Sequence, residues 1–125
     1  VETREWTVDD HLRGKPDGAV VLYHRFVELV EACGPFTYSV AKTTITFKGD
    51  RRGFAGARPT AQGSLAGYLD LQRMVEDPRI LRATPYTARL FTHRFRIDGP
   101  GQLDDGFAGW IREAYAVGGG AHLRR

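Results

Sequence analysis

Residues 42–59 read KTTITFKGDRRGFAGARP, and the fold of the chain turns on how this stretch is understood. Apolar and polar residues alternate as far as Lys48, and the β-branched and aromatic content is high, the pattern of a half-buried strand. Gly49-Asp50 breaks the run, two arginines follow, and the pattern resumes through Phe54, so the stretch is a hairpin. A four-residue loop at 49–52 sets Lys48 opposite Gly53 and Phe47 opposite Phe54, whereas a two-residue loop sets Phe47 beside Arg52. The aromatic cross-strand pair, worth about 0.2–1 kcal/mol, favours the longer loop. Both registers leave Ile45, Phe47 and Phe54 on one face and put the arginines at or beside an exposed tip.

Working outward, the period of two predicts further strands at 36–41 and 65–71, flanking strands at 43–48 and 53–58, and a fifth strand at 89–98. In the last, Phe91, His93, Phe95 and Ile97 fall on one face and Leu90, Thr92, Arg94 and Arg96 on the other. Between them, Pro78 is placed to open a short helix through Ile80, Leu81 and Arg82. Upstream, Thr7 to Asp10 has the form of a capping box, with Gly14 as a stop. A helix beginning near Pro16-Asp17 repeats Ala19, Leu22, Tyr23, Phe26, Leu29, Val30 and Cys33 at steps of three and four, and Gly34-Pro35 ends it. Downstream, Leu103, Phe107, Trp110, Ile111, Ala114 and Tyr115 form one stripe, closed by Gly118-Gly119-Gly120. The expected fold is α+β, an antiparallel sheet of about five strands with N- and C-terminal helices packed on one face. It is a single domain over 1–125, with an N-terminal arm and short helix at 1–15 and a loose tail at 118–125.

A chain of 125 residues that is 42% apolar and 26% charged matches an ordinary globular domain, which excludes a disordered chain. No apolar run reaches the roughly 18 residues of a membrane span. The charged first ten residues lack a signal core and Cys33 is the only thiol, so a reducing, cytoplasmic setting is expected. Charge is unevenly spread: residues 42–97 hold eleven Lys/Arg against four Asp/Glu, while both flanks are net acidic. That concentration of positive potential attracts anionic partners.

No H-E-x-x-H, paired C-x-x-C, Walker loop or G-x-S-x-G occurs. Glu5, Asp9, Asp10 and His11 are metal-ligating types, but adjacent positions rarely converge and capping accounts for the acids; neither metal nor cofactor is expected. Cys33 reads as a small core residue. His93, set between Phe91 and Phe95, is either a core histidine bonded to a backbone carbonyl or an acid/base group in a pocket. The basic residues Lys48, Arg51, Arg52, Arg94 and Arg96 are electrostatic donors suited to phosphate or carboxylate, with Tyr68 as a stacking platform. Charges at tips and edges also serve solubility alone. The expectation is a non-enzymatic module that binds an anionic small molecule, nucleic acid or acidic protein surface. The alternatives are a small-molecule enzyme or sensor using His93, and a homodimeric scaffold.

At RRGFAGARP, YLDL and FTHRFRIDGPGQLDDGFAGWIREAYAVG the sequence resembles a bacterial family known as domain of unknown function 5655, over about residues 11–118. The resemblance implies a small intracellular α+β domain and carries no catalytic residues. The layout is also similar to the frataxin-like and double-wing group, some of whose members are linked with iron delivery or proposed DNA binding. Frataxins present an acidic ridge on their first helix, and Asp17, Glu28 and Glu31 are too sparse to form one.

Overall fold

Thr7 opens the first helix, α1 (Val8–Leu12), by the expected capping box: its side chain accepts from the Asp10 N–H and the Asp10 carboxylate accepts from the Thr7 N–H. In this computed structural model, which describes residues 5–123, there follow α2 (Asp17–Glu31), β1 (Thr37–Val40), β2 (Ile45–Lys48), β3 (Gly53–Pro59), β4 (Leu65–Leu71), β5 (Ile80–Thr87), β6 (Leu90–Ile97) and α3 (Asp105–Gly118). Residues 1–4 of the expected arm and 124–125 of the expected tail lie outside the described residues. Among the described residues the strands form one antiparallel sheet in the order β1-β2-β3-β4-β6-β5.

The sheet has six strands rather than about five, because residues 80–87 form β5 and not the short helix expected after Pro78. This strand lies at the sheet edge, which tolerates Pro85 inside it. Its ladder with β6 pairs Arg82 with Arg94, Ala83 with His93 and Pro85 with Phe91.

Both long helices cover one face of the sheet. Phe26 of α2 lies 5.4 Å from Phe47 of β2, 5.6 Å from Phe95 of β6 and 6.2 Å from Phe107 of α3, ring centre to ring centre. Ile45, Ala55, Ala57, Leu65, Leu69 and Ile97 complete the sheet's side of this core. A domain of this size depends on burying such an apolar layer once, on one side.

The opening hairpin differs from strict pairing in an instructive way. Lys48 faces Gly53 as expected, but a bulge follows, so that Phe47 faces Ala55 and Thr46 faces Gly56. The inserted residue is Phe54, which is fully buried beneath the end of α3, where its ring meets Tyr115 edge-on at 5.4 Å. The tip is not free either: the Arg51 and Arg52 N–H groups donate to the Gly118 carbonyl at 2.9 and 3.3 Å. Gly118 and Gly120 are buried against the hairpin, and residues Ala121–Leu123 form a 3-10 turn.

Since β5 and β6 are a hairpin and β6 sits beside β4, the chain from β4 must pass β6 to reach the sheet edge. This crossover carries Val75 into the core, and Arg79 ties its far end down. The Arg79 guanidinium donates to Asp77, to the Gln102 carbonyl and to Asp104, and lies 4.7 Å over the Trp110 ring.

Candidate anion-binding groove

The face of the sheet turned away from the helices is assembled in rows. Antiparallel registers place Gly56, Tyr68, Arg94 and Arg82 in one row across β3, β4, β6 and β5, and Arg58, Ala66 and Arg96 in the next. Strands are about 4.8 Å apart, so Tyr68 and Arg82 are separated by only about 10 Å of backbone. The small residues Gly56 and Ala66 leave a hollow between the longer side chains. It is a half-open groove of about 340 Å³, lined by Thr43, Thr44, Arg58, Tyr68, Leu81 and Arg94 over a floor that includes Gly56 and Ala66.

Each wall has a local cause. Tyr68 lies across Gly56: a Cβ at that glycine would come within 2.5 Å of the tyrosine Cε1. Burial pushes the Tyr68 phenol above its ordinary value, keeping it neutral. On the opposite side a bulge between Ile80 and Arg82 leaves Leu81 without a strand partner, and its side chain stands 65% exposed at the groove. Such bulges redirect side chains at sheet edges.

The electrostatics separate the arginines into two kinds. Arg96 is paired with Asp98 at 2.8 Å, and Arg52 with the buried Asp70 at 2.9 Å, where Thr92 donates to the second carboxylate oxygen. Burial is the leading influence on Asp70 and raises its pKa despite those partners. Arg58, Arg82 and Arg94 are exposed and have no carboxylate partner among the described residues. Arg82 and Arg94 face each other directly across the ladder, an arrangement of like charges that weakens a sheet.

The seven candidate residues are thus divided. Tyr68 and Arg94 meet in the groove, and Arg96 lies one row away with its own carboxylate. Lys48, Arg51 and Arg52 belong to the far end of the hairpin, five residues of strand from Arg58, or about 17 Å. There Arg51 packs along Gly120 and Arg52 serves Asp70. His93 is fully buried on the helix face and is absent from the groove's lining. Its Nδ1 donates to the Phe91 carbonyl at 3.0 Å and its Nε2 accepts from the Val75 N–H at 2.9 Å. Both ring nitrogens are therefore occupied by backbone, and the pocket histidine considered from sequence is a clamp on the crossover. Arg58 was legible as basic surface; Arg82 and Leu81 were not, since they were assigned to a helix.

Among the described residues no group of three or more His, Cys, Asp or Glu could hold a metal ion, and no helix is long and apolar enough to cross a membrane. The family model described as Domain of unknown function (DUF5655) matches residues 8–118. The chain belongs to the DUF5655 family. That match takes in both long helices and all the strands, so in this DUF5655 member the groove lies wholly within the family's own fold. No curated protein and no solved structure matches the chain.

Proposed function

We propose that this domain is a non-enzymatic module that binds an anionic ligand in the groove on the open face of its sheet. The observation that carries the reading is that Arg58 and Arg94 line one hollow with no carboxylate in its lining, while Arg82 faces Arg94 across the ladder beside it. A surface that needed only solubility would intersperse the two signs. Here the opposed Arg82 and Arg94 cost the fold something, and an anion between them removes that cost. Guanidinium forks match phosphate and carboxylate geometry, and the Thr43 and Thr44 hydroxyls supply neutral donors at the groove's end.

Titration calorimetry with pyrophosphate, citrate and heparin tests this at two salt concentrations. Binding is expected at low salt, weakening as salt rises, and it is expected to be lost in the Arg58→Ala, Arg94→Ala double variant while Arg51→Ala, Arg52→Ala retains it. Equal affinity of wild type and the Arg58/Arg94 variant, or no binding by wild type, refutes the reading.

A further inference from the structure

We infer that the groove's ligand is a nucleoside monophosphate unit, its base held against Tyr68 and Leu81 and its phosphate by Arg94 with Arg58; this rests on the anion-binding reading above. A site for a bare anion needs donors only, and this one has more. Its floor includes Gly56, Ala57, Ala66 and Gly67, whose side chains offer no hydrogen bond, and its flanks include an aromatic ring and an aliphatic side chain. Leu81 is held out at the rim by the β5 bulge, 65% exposed beside Arg82. An inorganic phosphate or a carboxylate would leave those apolar surfaces wet, whereas a flat heterocycle covers them.

The tyrosine is prepared for such a partner. Its ring is seated on Gly56, where no side chain can push it away from the sheet, and its phenol stays neutral, so it does not repel the phosphate. In register it stands next to Arg94, whose guanidinium is not engaged by any carboxylate among the described residues. Base platform and phosphate donor are thus neighbours across one ladder rung, the separation that one nucleotide bridges. The volume of about 340 Å³ lies at the small end of ligand sites, suited to one nucleotide rather than to a long strand segment.

The unit is available as a free nucleotide or as one residue of a single strand, and the experiment separates these. Calorimetry on the full chain at about 50 mM salt compares adenosine 5′-monophosphate, ribose 5-phosphate and short oligoadenylates. The variants are Tyr68→Ala, Leu81→Ser and Arg94→Ala, with thermal melts to verify folding. The monophosphate is expected to bind about 5- to 150-fold more tightly than ribose 5-phosphate, the value of one base–aromatic stack. Tyr68→Ala should erase most of that gap, and Leu81→Ser, at an exposed position that cannot unfold the core, should narrow it. Affinity that grows with oligomer length beyond the number of equivalent sites assigns the unit to a single strand; affinity independent of length assigns it to the free nucleotide. If both phosphates bind equally and Arg94→Ala abolishes both, the base-recognition inference is overturned while the anion reading stands. If neither binds and pyrophosphate does not either, both are overturned.

Discussion

The clamp formed by His93 gives a sharp prediction because both of its nitrogens are accounted for. His93→Ala removes a fully buried ring and leaves the Val75 N–H without an acceptor. An orphaned buried donor costs about 1–3 kcal/mol, and emptying a large buried side chain about 2–5 kcal/mol. These overlap, so a loss of about 3–5 kcal/mol is expected, which for a domain of this size is a fall in Tm on the order of 10–25 °C. The pH dependence isolates the ring itself. Burial holds the His93 pKa below its ordinary 6.5, outweighing the carbonyls of Phe91 and Leu69 and the Asp70 carboxylate, which act the other way, while Arg73 adds to the lowering. The unfolded chain therefore takes up a proton near 6.5 that the folded ring refuses until lower pH. Stability is complete above 6.5 and falls on acidification between 6.5 and the folded value, by at most about 1.4 kcal/mol per pH unit. His93→Gln retains an acceptor for Val75 and cannot titrate. Urea denaturation of wild type and His93→Gln between pH 7.5 and pH 5 should therefore show wild type losing stability relative to the variant. Parallel profiles, or an alanine variant within about 1 kcal/mol of wild type, would falsify the clamp.

Three further outcomes follow from the same geometry. Arg79→Ala removes a guanidinium only 13% exposed that joins Asp77, Asp104, Gln102 and the Trp110 ring; a loss of about 2–4 kcal/mol is expected in chemical denaturation, with a change in tryptophan emission, and a loss below about 0.5 kcal/mol would exclude this role. Two glycines should respond with opposite sign. At Gly67 a Cβ would lie 2.0 Å from the Gly56 carbonyl oxygen, so Gly67→Ala should abolish soluble folded protein, whereas at Gly109 the nearest atom is 3.6 Å away and Gly109→Ala should stabilise α3 by about 0.5–1 kcal/mol. Finally, Arg82→Thr relieves the opposed pair, so it should leave the Tm unchanged or raise stability by up to about 1 kcal/mol while weakening anion binding; a clear loss of stability would show that Arg82 has a structural partner.

The helices and five of the six strands were legible, β2, β3, β4 and β6 because each buries residues on one face and so carries a period, and β1 from its β-branched and aromatic residues. β5 carries none. Its residues are exposed or half-buried along its length, an edge strand held by its ladder to β6 rather than by the core. Its turn was silent too. Ala88 and Arg89 join Thr87 to Leu90, and among the described residues none but glycine has positive φ, so the Asn-Gly signature of the usual hairpin turn has no place here. Pro78, read locally, argued for a helix start. With β5 went Leu81, a rim residue of the groove, and Arg82, the cation that faces Arg94 beside it.

The arginines posed a different difficulty, since composition lists cations without saying which are already engaged. Arg52 meets Asp70 across 18 residues of chain and Arg79 meets Asp104 across 25, pairings that only the sheet register and the crossover create. Yet one local clue to the groove was present. Strict alternation through GFAGARP from a buried Phe54 puts Gly56 and Arg58 on the core side together with it, which would bury an unpaired guanidinium at a cost no domain of this size could meet. The bulge opposite Phe47 and Lys48 resolves the conflict: both Phe54 and Ala55 are buried, the alternation restarts one residue later, and Arg58 emerges on the open face. The same single insertion sets Gly56 beneath Tyr68. One extra residue in β3 therefore completes the core under α3 and, on the other side of the sheet, aligns the glycine seat, the tyrosine and an unpaired arginine around one hollow.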